Sequence, residues 1–115
     1  MTECYQDGNI QIRRRTLDML IVTEGRLGEY TRRHPEAASA LFRWAGITRV
    51  AVWKNLVQVR LVFRQADPVG ACTVFDIMGN NYRLITRIDY GLQTVTLKHF
   101  LTHEQYDRDK WKKDC

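Results

Sequence analysis

Several motif classes are missing from this chain, and each absence removes a chemistry. The three cysteines, Cys4, Cys72 and Cys115, include no C-x-x-C pair. An odd, widely spaced set indicates neither a disulfide framework nor a zinc site, so a reducing cytoplasm is the expected compartment. No apolar run reaches the ~20 residues of a membrane span, and the N-terminus lacks the charged-then-apolar order of a signal peptide. No Gly-rich phosphate loop, Ser-His-Asp spacing or metal motif is present, so no cofactor is expected. His99 and His103 stand four apart, but the segment shows no helical periodicity, which argues against a metal pair.

What is present is a chain of 115 residues, room for one domain with a modest core. Its apolar fraction of 44% is that of a globular protein rather than a disordered one. The formal charge of +5 favours an acidic partner such as nucleic acid, an anionic membrane or an acidic protein. Of the 18 basic residues, 13 are Arg, whose planar fork suits phosphate and can stack on bases.

Residues 1–18 carry the Arg13-Arg14-Arg15 run without a clean period and read as an N-terminal extension, a solvated arm. The domain proper, 19–115, opens on the β-prone run Leu20-Ile21-Val22-Thr23, with Thr23 placed to cap a helix over Glu24 to Arg33. Leu27 and Tyr30 of that helix face inward. Pro35 and Glu36 then suit the start of a second helix, along which Ala38, Leu41, Phe42 and Ala45 repeat at helical spacing. Val57, Val59, Leu61 and Phe63 alternate with their neighbours as a strand would. After a turn at Asp67-Pro68 and Gly70, three strands are expected: Thr73–Met78, Tyr82–Tyr90 and Thr94–Leu101. Gly79-Asn80-Asn81 and Gly91-Leu92-Gln93 connect them. The fold class is therefore α+β: an N-terminal strand, a helical hairpin, then an antiparallel sheet of three to four strands.

Arg83 and Arg87 share one face of the middle strand. In the last strand Lys98 lies with Thr96 and Phe100, while His99 lies with Leu97 and Leu101 unless a bulge re-aims His99. The segment Leu101 to Asp107 ends in His103, Tyr106 and Asp107, groups that exchange or position protons. Beside Arg83, Arg87 and Lys98 they compose a phosphodiester-cleaving site without metal. RNA brings its own nucleophile in the 2′-hydroxyl, so the protein need only position the backbone, stabilise charge and move protons. Each of these residues taken singly has a structural role open to it, and Trp44, Trp53 and Trp111 read as packing residues.

Taken together, Val74-Phe75-Asp76-Ile77, Gly79-Asn80-Asn81-Tyr82-Arg83-Leu84-Ile85 and Leu101-Thr102-His103-Glu104-Gln105-Tyr106-Asp107 resemble the HigB toxins of bacterial type II toxin–antitoxin systems. Arg33-His34-Pro35-Glu36-Ala37, Trp53-Lys54-Asn55, Val59-Arg60 and Ala66-Asp67 agree with the same family. The likeness runs from Met19 to about Trp111. Family members usually start at the position of Met19, so residues 1–18 depart from the pattern.

That resemblance implies a RelE-like fold and an mRNA interferase, an endoribonuclease that cuts messenger RNA, typically on the ribosome. It also implies a HigA-type helix-turn-helix antitoxin as neutralising partner, with operator DNA bound through the complex of the two. By the same likeness Arg83 would bind the scissile phosphate, with Lys98 and Arg87 adding charge. His103 and Tyr106 would share acid–base or orienting roles, and Asp107 would orient His103. Lys54, Arg60, Asn81 and Lys110 would contact RNA. The alternative is a non-catalytic nucleic-acid-binding or corepressor protein derived from such a toxin, which would use the same cations and need no particular His or Tyr.

Overall fold

A computed structural model of the chain describes residues 18–115, so the expected N-terminal extension lies outside the described residues except for Asp18. β1 (Leu20–Ile21) enters first and α1 (Gly25–Arg33) follows, with Leu27 and Tyr30 buried as their spacing predicts. Thr23 does not cap α1. Glu24 holds that position, and the Thr23 hydroxyl instead accepts the Leu97 N–H (2.8 Å) and donates to the Leu97 carbonyl (3.3 Å).

Pro35 starts a 3-10 turn, Pro35–Ala37, that runs into α2 (Ala38–Arg49). Leu41, Trp44, Ala45 and Thr48 form the inward stripe of α2. Phe42, expected inside, is 53% exposed, because it lies one step round the helix from Leu41.

The segment read as a strand from Val57 to Phe63 is a helix, α3 (Leu56–Val62). Its apolar residues fit two periods at once. Leu56, Val59 and Phe63 pack inward at helical spacing, while Val57 and Leu61 stay exposed. The deciding signal is local: the Asn55 side chain accepts the Gln58 N–H at 3.0 Å and caps the first turn.

The sheet has five strands in the order β1-β5-β4-β3-β2. β2 (Asp67–Val69), β3 (Cys72–Ile77), β4 (Tyr82–Asp89) and β5 (Thr94–Thr102) run antiparallel, and β1 joins β5 in parallel. Asp67-Pro68, read as a turn, starts an edge strand, where Pro costs no ladder hydrogen bond.

Pairing of β4 with β5 slips after Ile85, since Ile85 faces His99 but Thr86 faces Leu97, leaving Lys98 as the extra residue. This bulge re-phases the strand. Val95, Leu97 and Phe100 are buried in the main core beneath the helices, whereas Leu101 packs into a second cluster on the other face.

The helix-covered face buries Leu27, Tyr30, Leu41, Trp44, Phe75, Leu84 and Phe100 in one core. On the opposite face the C-terminal segment folds back, and buried Trp111 packs with Cys72, Val74 and Ile85. All three tryptophans are packing residues, 1 to 3% exposed.

The expectation of unbridged cysteines is corrected here: Cys72 and Cys115 are disulfide-bonded, with Cα atoms 5.2 Å apart. Their separation of 43 residues hid the pair in sequence. It forms because the C-terminal 3-10 turn, Lys110–Asp114, returns the chain end to the first residue of β3. The Cys115 carbonyl also accepts the Ala71 N–H at 2.7 Å. Closing a loop of this length stabilises the fold by about 4 kcal/mol in the chain-entropy description. Cys115→Ser should therefore lower the midpoint of thermal unfolding by roughly 15 °C in non-reducing buffer. Dithiothreitol should lower the parent protein comparably and leave the variant unmoved, as differential scanning fluorimetry would read.

Candidate active site

Arg83 stands on β4 directly opposite Asp76 of β3, on the face away from the α1–α2 pair. Asp76 was not singled out from the sequence. Once the Gly79-Asn80-Asn81 hairpin fixes the register, counting back across it puts an acid against Arg83, and this was the available signal. The Arg83 Nε lies 3.2 Å from Asp76 Oδ1. Its Nη1 donates to the carbonyls of Tyr82 (3.1 Å) and Asn80 (3.3 Å). Its Nη2 donates to Asn80 Oδ1 (2.6 Å) and lies 3.2 Å from His103 Nδ1. All five N–H donors of the guanidinium thus meet an acceptor, and Arg83 is 9% exposed.

The end of β5 does not continue as an extended tail. It turns into a short helix, α4 (His103–Asp107), under a capping box. Thr102 Oγ1 accepts the Gln105 N–H, and Gln105 Oε1 accepts the Thr102 N–H. The Thr102-x-x-Gln105 spacing carried that signal in the sequence. One turn of helix sets Asp107 Oδ2 3.2 Å from His103 Nε2. Because the Nδ1 faces a guanidinium, which can only donate, the ring proton belongs on Nε2, donated to Asp107.

The guanidinium also sits 5.3 Å from the centroid of the Tyr106 ring, whose other face stacks on Trp111 at 4.8 Å. The Trp111 indole N–H donates to the Tyr106 carbonyl at 2.8 Å, so the folded-back C-terminus holds that ring in place.

Arg83, Tyr106, His103 and Asp107, expected to act together, are brought together by direct contacts along Asp76–Arg83–His103–Asp107. Arg60 lines a groove of about 320 Å³ with Arg83 and Tyr106 of this group, alongside Arg64, Gln65, Asp67 and Asp76. Arg60 Nε is braced on the Ala66 carbonyl at 2.8 Å. The Asn81 carbonyl accepts the His103 N–H and its residue is exposed.

The remaining cations lie elsewhere. Arg87 shares the Arg83 face but stands four residues further along, about 13 Å at strand rise, in a groove with Tyr90 and Thr96. Lys98, displaced by the bulge, lines a groove with α1 rather than the Arg83 groove. Lys54 is exposed just before α3, and Lys110 is exposed beside Trp111 near Arg108 and Lys113. Among the described residues, no group of three or more His, Cys, Asp or Glu could hold a metal ion.

Burial raises the Tyr106 phenol above its ordinary value of 10.0; nearby Asp67 adds to this, while Arg83 and Lys112 oppose it. Tyr106 therefore stays protonated at neutral pH and is a donor there, not a base.

The comparisons with known proteins agree with this architecture. The model of the HigB toxin family, the RelE-like toxic component of a toxin–antitoxin system, matches residues 37–109. That span exceeds half of the chain, so the protein belongs to the HigB toxin family. Its helices and five-stranded mixed sheet are consistent with a RelE-like fold, and membership implies an antitoxin partner. No curated protein matches the sequence. No helix among the described residues is long and apolar enough to cross a membrane.

The Tyr106 environment can be read by ultraviolet difference titration against Tyr106→Phe. The phenol should ionise above pH 10.0, and Arg83→Gln should move it higher still, because the opposing positive charge is gone. The linkage has the same sign. A folded-state value above the unfolded one contributes stability that is complete below the unfolded value and is lost as pH rises through the folded one. Tyr30 and Tyr90, also raised chiefly by burial, add to an alkaline loss of stability above about pH 10.

Proposed function

We propose that the protein is an mRNA interferase: an endoribonuclease that cuts messenger RNA by attack of the 2′-hydroxyl on the adjacent phosphate, on the ribosome, and is neutralised by a HigA-type antitoxin. The observation that carries this reading is the contact of Arg83 Nη2 with His103 Nδ1, which puts an anion-binding group and a proton acceptor on one small patch beside Tyr106.

In the free protein the guanidinium is fully engaged. A scissile phosphate would bind by displacing Asn80 Oδ1 and His103 from Nη2, since a charge-assisted bond to phosphate is stronger than one to a neutral acceptor. The exchange frees His103 Nδ1 to take the 2′-hydroxyl proton while Asp107 holds the opposite ring nitrogen and stabilises the imidazolium. The 2′-oxygen bonds to phosphorus, the bond from phosphorus to the 5′-oxygen breaks, and Tyr106 gives its proton to the departing oxygen. Transfer from His103 to Tyr106 through water restores both groups. The products are a 2′,3′-cyclic phosphate and a 5′-hydroxyl. Arg60 and Arg64, in the same groove, would hold the neighbouring backbone, while Arg87, Lys98, Lys54, Asn81 and Lys110 would contact RNA or ribosome further out. Operator DNA would be bound through the toxin–antitoxin complex.

The saturation of Arg83 favours one alternative, a non-catalytic nucleic-acid-binding or corepressor protein in which this network is only structural. Message cleavage on purified ribosomes separates the two. Arg83→Ala and His103→Ala should each slow cleavage by about a hundredfold or more and relieve growth arrest, with circular dichroism unchanged. Asp107→Asn should cost less, because it only orients the ring. Absence of cleavage by the parent protein with ribosomes supplied, or equal cleavage by folded variants, rules out the assignment.

A further inference from the structure

The C-terminal segment crosses the sheet on the Arg83 face. Arg83, Ile85 and Arg87 alternate along that face of β4, and Trp111 lies over Ile85 and Val74 between the two arginines. On one side of this strap is the groove of Arg83, Tyr106 and Arg60; on the other is the groove of Arg87, Tyr90 and Ala71. The strap is held by little besides its sulfur. The Trp111 indole N–H donates to the Tyr106 carbonyl, the Cys115 carbonyl accepts the Ala71 N–H, and His99 Nε2 meets Asp114 Oδ2.

The seat for Cys115 is shaped to its backbone. Gly70 has φ +57°, and a Cβ there would lie 2.7 Å from the Cys115 carbonyl oxygen, so a side chain at this turn would push the strap off. The two sulfurs differ in access: Cys72 is 2% exposed on β3, whereas Cys115 is half-buried. One indole and a few hydrogen bonds are set against the ordering of Lys110 to Cys115, long lysine side chains included. The covalent bond therefore decides whether the strap stays down. Trp111 and Cys115 pack outside the main core beneath the helices, which makes their release a local opening.

We propose that Cys72–Cys115 is a thiol–disulfide exchange site, through which a small reducing thiol lifts the strap, frees the Tyr106 ring from Trp111 and joins the two grooves. The inference goes beyond the nuclease reading, because it concerns what holds Tyr106 and not what the groove cuts. Attack falls on Cys115 Sγ, the accessible sulfur: its bond to Cys72 breaks, Cys72 leaves as thiolate and takes a proton, and a mixed disulfide with the reductant remains. A second thiolate attacks the reductant's sulfur in that mixed disulfide and releases Cys115, which is protonated in turn. The pair gains two electrons and two protons, and two thiols become one disulfide. Oxidised thiol reverses the sequence and reseats Trp111.

The test takes the full chain carrying Cys4→Ser, so that exchange is confined to this pair, through glutathione buffers of stepped reduced-to-oxidised ratio. Alkylation and mass spectrometry count the free thiols. The Trp111 indole N–H resonance, assigned by its loss in Trp111→Phe, reports the strap. Reduction should quicken hydrogen exchange at that indole by about a hundredfold or more. It should also bring the Tyr106 phenol down toward its ordinary value of 10.0, since burial is the chief cause of its rise. Oxidised glutathione should restore both, with far-ultraviolet circular dichroism unchanged throughout, and Cys115→Ser should behave as the reduced protein in every buffer. Three results overturn the proposal: a bond that resists millimolar reduced glutathione, an opened bond that leaves indole exchange and the phenol unmoved, or a reduction that melts the helices with the strap. The last would make the bond a structural staple only. Neither readout involves cleavage, so failure here is distinct from failure of the nuclease reading.

Discussion

A guanidinium almost withdrawn from water governs the far face of this protein. An ion as buried as Arg83 carries a desolvation cost of several kcal/mol unless its surroundings restore what water gave it. Here Asp76 supplies the counter-charge from the next strand, and Asn80 of the turn, the Tyr82 carbonyl and His103 supply the remaining acceptors. The requirement explains features that otherwise look unrelated. The hairpin turn must present the Asn80 side chain and carbonyl to the same cation. The chain leaving β5 must turn at once into α4, or His103 would not reach Nη2. A Lys at this position would carry the charge but lack the planar fork that ties five acceptors together.

The second constraint is that the sheet is buried on both faces by unlike elements. Helices α1 and α2 cover one side with aromatic and aliphatic packing, whereas the other is covered by the chain's own C-terminus. Trp111 fills the gap over Val74 and Ile85 and at the same time fixes Tyr106 against Arg83. The Cys72–Cys115 bond and the His99 contact with Asp114 (2.7 Å) secure the same segment at its end. Burial of the second core and placement of the Tyr106 ring are therefore one event: loosening the C-terminus would uncover apolar surface and free the phenol together.

Much of this was legible in the sequence where a local rule acted alone. The β3–β4 and β4–β5 hairpins, the inward pair Leu27 and Tyr30, and the grouping of Arg83 with His103, Tyr106 and Asp107 all follow from turn chemistry, periodicity or family motifs. Misreadings arose where two rules competed. Val57 to Phe63 satisfied both a strand and a helical period, and the Asn55 cap decided between them. Thr23 was suited to a cap, but the open carbonyl and N–H of Leu97 claimed its hydroxyl. The disulfide and the divorce of Lys98 from Arg83 depend on tertiary return of the C-terminus and on one bulge, and neither leaves a mark at short range.

The cations of the two grooves differ in a way that follows from burial. Arg83 is rigid, saturated and matched by an acid, so an incoming anion reaches it only by exchange, and the partner released is a histidine with a free lone pair. Arg33 and Lys98 are more solvated and line a groove beside α1. An ion held by five acceptors discriminates by geometry, since a ligand must replace what it displaces. Ions left in water discriminate by sign alone. The same fold thus places two positively charged surfaces on different flanks of one sheet, and the bulge at Lys98 keeps them from merging into a single basic face.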